Sequence, residues 1–179
     1  MLNSNMLKTF FKNKPRFHEI ISYRRIAIFL LIVFLLILDQ SIKMAMDSYL
    51  ILHHPFYVLP FFSLYLTYNT GVAFSILANT SPWLIISMRI LIVSAVILIW
   101  KKAKNSYILD AGYMLIIAGA LGNLIDNYLY GYVIDYVMLH IRIWSFAIFN
   151  FADFFITLGA CMLIYNEIIL LYKEKKSSF

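Results

Sequence analysis

Charge is scarce in this chain of 179 residues: 13% are Asp, Glu, Lys or Arg, against 63% hydrophobic. Soluble domains carry about 25% charged residues, so a soluble globular class is excluded and an integral membrane protein is indicated. The mean hydropathy of +0.81 agrees. At this length several membrane spans use most of the chain, leaving little for a separate soluble domain. Cysteine is limited to Cys161. No intramolecular disulfide can form, and its place in an apolar run reads as a small buried hydrophobe. Neither H-E-x-x-H nor G-x-S-x-G occurs, so zinc-peptidase and serine-hydrolase signatures are missing. His18, His53, His54 and His140 show no metal-ligand spacing, and no repeat or low-complexity segment stands out.

Lys and Arg are absent from residues 48–82 and reduced to Arg142 in residues 129–150. That absence becomes informative once the spans are placed. A spanning helix needs about 20 mostly apolar residues. Four segments qualify: 26–46, opening with an unbroken apolar run to Leu38; 83–100, with Ser81-Pro82 as cap and first-turn proline; 107–128; and 152–172. Basic residues cluster before the first span (Lys8, Lys12, Lys14, Arg16, Arg24, Arg25), between the second and third (Lys101, Lys102, Lys104) and after the fourth (Lys173, Lys175, Lys176). The positive-inside rule then puts both termini in the cytoplasm and both longer loops outside. The net charge of +6 is a topology signal, with no need of a nucleic-acid partner. No A-x-A-like cleavage site follows the first span, where Asp39 and Lys43 stand instead, so a retained anchor is expected.

The few polar residues near the spans gather at one depth. Asp39 lies 14 residues past Arg25, roughly 21 Å along a helix, and Lys43 follows one turn later on the same face. Asn123 and Asp126 close the outer end of the third span; Asn150 and Asp153 open that of the fourth; Asp135 lies in the loop between them. Each has an ordinary reading. Asp39 with Lys43 could be an interfacial ion pair, Asp153 a helix N-cap, and Asp135 a solvated loop residue. Asp126 resists such a reading, because a helix C-terminus disfavours a carboxylate. Carboxylates at membrane depth are costly and mark function. Two close acids cannot both ionise, so one can hold a proton while the other acts as base, and such a pair can activate water against an amide. A proton-coupled transporter would also use carboxylates, but would spread them through the membrane depth.

The stretches LDQSIK (38–43), YNTGVAFSIL (68–77), GALGNLID (119–126), YVIDY (132–136) and FNFADF (149–154) together resemble the bacterial lipoprotein signal peptidase family, also called signal peptidase II, in order and spacing. The resemblance covers residues 25 to 172. It implies an all-α membrane fold of four transmembrane helices with a small β element, an extracytoplasmic cradle against the outer leaflet. It implies an aspartic endopeptidase of the bacterial inner membrane with Asp135 and Asp153 as catalytic pair, and no metal or cofactor. Asp39, Lys43, Asn69, Gly71, Asn123, Asp126, Asn150 and Ala152 fall on positions that shape the site and hold substrate. The expected substrates are diacylglyceryl-modified prolipoproteins, cut just before the lipidated cysteine, with membrane lipid as surroundings and the enzyme a monomer.

One membrane domain is expected over 26–172, flanked by basic cytoplasmic tails at 1–25 and 173–179. Residues 56–71, rich in aromatic and β-branched side chains, are expected to supply the cradle strands; an interfacial aromatic belt is the other reading. Gly112, Gly119, Ala120 and Gly122 permit close helix contact. Asn127 departs from the family, which has arginine there, and asparagine cannot reproduce a bidentate fork. Weaker binding or rate is one expectation; a homologue that binds lipoproteins without cutting them is another. Arg89 and Glu167 have no assigned role beyond snorkelling or pairing with neighbours.

Overall fold

The computed structural model describes residues 17–70, 81–103, 106–141 and 144–177. The first sixteen residues, Gly71 with the rest of its motif to Leu77, Lys104 and Arg142 therefore lie outside the described residues. The elements run α1 (Phe17–Tyr49), β1 (Pro55–Leu59), β2 (Phe62–Asn69), α2 (Pro82–Lys102), α3 (Tyr107–Tyr130), β3 (Val133–Ile141), β4 (Trp144–Phe149) and α4 (Phe151–Ser177). Among the described residues, four helical stretches are long and apolar enough to cross a membrane: Tyr23–Tyr49, Trp83–Lys102, Tyr107–Tyr130 and Phe151–Lys176. The protein is a four-helix membrane protein with a small antiparallel sheet.

The chain packs as two units, Met1–Leu31 and Ile32–Phe179. In the first, the described part is the opening of α1, where Ile26, Phe29 and Leu30 are exposed. The second holds everything that follows. Its surface is inside-out relative to a soluble protein: Phe34, Leu91, Leu98, Ile164 and Leu171 are exposed, while Asp39, Lys43, Asn123 and Asp126 are buried. Lipid tails receive apolar side chains, so the interior can hold polar groups that satisfy one another. Cys161 follows the same logic. It is exposed on α4 rather than buried as its apolar run suggested, because an apolar exterior accepts it.

Helix α3 is central, packing on both α2 and α4. Close approach comes from small residues. A Cβ on Gly112 would sit 3.1 Å from the Gly159 carbonyl oxygen, and one on Gly119 would strike the Ala152 carbonyl. Helix α2 starts with Pro82 in its first turn, and Ser81 precedes it without a side-chain capping bond. Helix α3 ends at Gly131, whose left-handed backbone (φ 79°) lets its N–H reach the Asn127 carbonyl. Glycine is suited to this stop, and the turn delivers the chain directly into β3.

The sheet has four antiparallel strands in the order β1-β2-β3-β4. The expected strands of 56–71 are β1 and β2. The 129–150 segment is a correction: it forms β3 and β4, and Asp135 stands on a strand instead of in a loop. Thr67 pairs with Asp135 and Asn69 with Val133 across β2 and β3, while Val137 pairs with Phe149 across β3 and β4. Leu66, Ile134 and Tyr136 form the sheet's core, against which Ile42, Met46 and Leu50 of the first helix and its exit pack. Tyr68 donates a hydrogen bond to Asp47 at 2.7 Å, a second tie between sheet and helix.

Candidate active site

Lys43 anchors the site from α1. Its ammonium lies 2.9 Å from Asp39 and 2.8 Å from Asp126, and donates to the Asn123 side-chain oxygen at 3.0 Å. Lys43 and Asp39 are each 1% exposed and Asp126 is fully buried, so this is no interfacial ion pair. Gln40 joins it, donating to Asp126 at 2.8 Å and to the Gly122 carbonyl at 3.3 Å. Asp126 also accepts the Ile134 backbone N–H at 3.3 Å. This carboxylate, awkward at a helix C-terminus when read alone, thus ties α1 and α3 to the strand that carries Asp135.

Asn150 and Asp153 begin α4 with a reciprocal capping box. The Asn150 side-chain oxygen accepts the Asp153 N–H at 3.0 Å, and the Asp153 carboxylate accepts the Asn150 N–H at 3.2 Å. Asn150, not Asp153, is therefore the N-cap. The Asn150 amide nitrogen donates to Asp135 Oδ1 at 2.7 Å and to Asn123 Oδ1 at 3.1 Å. Asn69, at the end of β2, donates to Asp135 Oδ2 at 3.0 Å. The Asn123 amide donates to Asp153 Oδ1 at 2.7 Å. Both carboxylates are thus held by asparagines, Asp135 by Asn69 and Asn150, and Asp153 by Asn123.

Asp135 and Asp153 line one cavity of about 440 Å³, with Asn69 and Asn123 at their side and Ile92, Ile116 and Ile156 among the apolar walls. Burial, followed by the negative charge of Asp153, pushes the Asp135 carboxyl up to about 7, against the pull of its two asparagine donors. A carboxyl that keeps its proton near neutral pH, beside a second carboxylate, can serve as an acid with its neighbour as base.

The signal peptidase (SPase) II family description matches residues 31–169. The chain belongs to that family. It is similar to a lipoprotein signal peptidase of Sinorhizobium fredii (strain NBRC 101917 / NGR234), 44% identical over 151 residues that cover 84% of this chain and 90% of the relative. A lipoprotein signal peptidase of Brucella ovis (strain ATCC 25840 / 63/290 / NCTC 10512) is 39% identical over 147 residues, covering 82% and 92%. Among solved structures, a bacterial membrane enzyme determined by the in meso method at 2.3 Å resolution aligns with TM-score 0.72 and 30% identity, over 86% of this chain and 92% of that one.

Of the signal peptidase II positions expected from sequence, Asp39, Lys43, Asn69, Asn123, Asp126, Asp135, Asn150 and Asp153 form one connected polar network. Ala152, with no exposed surface, packs beneath it: a Cβ on Gly122 would lie 3.4 Å from the Ala152 Cβ. Gly71 lies outside the described residues. Asn127 is buried but is not among the residues lining the cavity. Arg89, which the sequence left without a role, does line it; a lone charge inside an apolar span marked it without distinguishing snorkelling from facing a cavity. Gln40 was missed, although it lies within the LDQSIK stretch. Among the described residues no cluster of three or more His, Cys, Asp or Glu could hold a metal ion.

Proposed function

We propose that the protein is an aspartic endopeptidase of the bacterial inner membrane that removes signal peptides from diacylglyceryl-modified prolipoproteins, cutting before the lipidated cysteine, with Asp135 and Asp153 as the catalytic pair. The observation that carries this reading is the shared cavity of the two carboxylates, with Asp135 pushed up to about 7. The pair shares one proton. Asp153 removes a proton from a water as its oxygen attacks the scissile carbonyl, and Asp135 gives its proton to the developing oxyanion. The tetrahedral intermediate then collapses: the leaving nitrogen takes the proton now on Asp153 as the C–N bond breaks, and the hydroxyl that becomes the new carbonyl returns its proton to Asp135. Lys43, Asp39 and Asp126 position the dyad through Asn123 and Ile134 rather than reacting. A site at the outer end of the helices suits a substrate whose lipid lies in the outer leaflet while its scissile bond lies near the surface.

The test uses the full chain in detergent with a diacylglyceryl-modified prolipoprotein, read as a size shift on a gel. The parent is expected to cleave, while Asp135→Asn and Asp153→Asn each lose about 100-fold or more, the scale of acid–base catalysis. Cleavage by either variant at the parental rate would sink the dyad assignment.

A further inference from the structure

We infer that Arg89 is a substrate-binding residue: from α2 it donates hydrogen bonds to carbonyl oxygens of the lipid-modified peptide in the cavity it shares with Asp135 and Asp153. This deepens the proposed function and rests on it for the identity of the substrate. Arg89 is the one basic residue lining the cavity among the described residues. It stands six residues beyond Trp83, about 9 Å along the helix, and so within the membrane layer. Its Nε is buried and has no hydrogen-bond partner among the described residues. The charges of Asp153 and Asp135 act on it through space, yet neither forms an ion pair with it, unlike Lys43 with its two carboxylates.

A guanidinium with unused donors in a cavity walled largely by isoleucine is costly unless an acceptor arrives. The acceptor's chemistry follows from its company. Two carboxylates in the same cavity disfavour an anionic ligand such as a phosphate, whereas a neutral carbonyl is attracted to the donors without that repulsion. An extended peptide drawn into the membrane layer carries backbone carbonyls that no helix or sheet satisfies and no bulk water reaches. The fixed fork of arginine can take two such oxygens at once. Arg89 thereby supplies a positive charge in the cavity that Asn127, standing outside its lining, does not.

The experiment compares the parent, Arg89→Lys and Arg89→Met in steady-state cleavage of the diacylglyceryl-modified prolipoprotein across pH. Arg89→Met is expected to raise KM about tenfold or more, the scale of one lost charge-assisted hydrogen bond. Its kcat should stay within about threefold; Arg89→Lys should fall between. A drop in kcat at constant KM would show Arg89 acting on the catalytic step instead of on binding and overturn the inference. So would kinetics unchanged in Arg89→Met. In parallel, binding of a fluorescent diacylglyceryl lipopeptide is measured on Asp135→Asn with and without Arg89→Met, where about a tenfold loss is expected. That arm stands even if the parent proves unable to cleave, so failure of the catalytic reading is told apart from failure of this one. Arg89-dependent displacement of the lipopeptide by inorganic phosphate or phosphatidylglycerol vesicles would identify an anion site and count against it. Arg89→Gln replaces Arg89→Met if the latter does not elute as a folded species.

Discussion

Asp135 is a carboxyl whose environment opposes its ionisation. Folding moves it from about 3.8 to about 7, by burial first and the charge of Asp153 second. The native state therefore binds this proton more tightly than the unfolded chain. The resulting stability is fully present below about pH 4 and is lost as pH rises through about 7. Asp135→Asn removes the titration. The apparent Tm of the variant minus that of the parent, measured in detergent, is expected to increase between about pH 5 and about pH 8, with the alkaline limb of cleavage near 7 in the parent. A difference flat with pH would mean the carboxyl is not perturbed. Lys43 illustrates the opposite strategy. With Asp39 and Asp126 within 2.9 Å, its charge is satisfied inside the protein, which is how a lysine can be 1% exposed.

At the scale of elements, the site depends on how closely α1, α3 and α4 meet. Gly122 is where two of those contacts coincide: an added Cβ would stand 2.6 Å from Asp39 Oδ2 and 3.4 Å from the Ala152 Cβ. The Asp39 oxygen cannot retreat, because the same atom bridges to Lys43. Gly122→Ala is expected to cost about 1–3 kcal/mol, as overpacking does, seen as a lowered apparent Tm, and to reduce cleavage by disturbing the network that reaches Asn123. A variant as stable and active as the parent would show that these helices can separate locally. The capping box of Asn150 and Asp153 works at the same scale. Bonds that start a helix also aim the Asn150 amide at Asp135 and the Asp153 carboxylate into the cavity, so one local motif fixes two site groups.

At the scale of the whole molecule, the proposed orientation places the Lys101–Lys102 link in the cytoplasm and the β3–β4 hairpin outside. In a Cys161→Ser background, a membrane-impermeant maleimide applied to right-side-out bacterial vesicles is expected to label Ile141→Cys at once and Lys102→Cys only after lysis. Both positions are exposed, so labelling reports the side of the membrane rather than burial. The reverse pattern would invert the topology and move the cavity to the cytoplasmic leaflet.

The four spans, their order and the convergence of Asp39, Lys43, Asn123, Asp126, Asn150 and Asp153 on one polar site were legible in the chain alone. Hydropathy and basic-residue placement are properties of local segments in lipid, and helical rise converts residue number into depth. The first hairpin was legible too, from its aromatic and β-branched run. The strand character of residues 133–141 was not. Buried on both sides at Val133, Ile134, Asp135 and Tyr136, it shows no alternation of apolar and polar residues, and its pairing partner β2 lies some 70 residues earlier in the chain. The role of Arg89 was equally hidden, because a lone arginine in an apolar span reads the same whether it snorkels or faces a cavity. Depth is written along the sequence. Which side chains meet at that depth is decided only when α2, α3, α4 and the sheet pack, because lateral neighbours in a bundle come from distant segments whose rotation about their axes is set by small-residue contacts such as those at Gly112, Gly119 and Gly122.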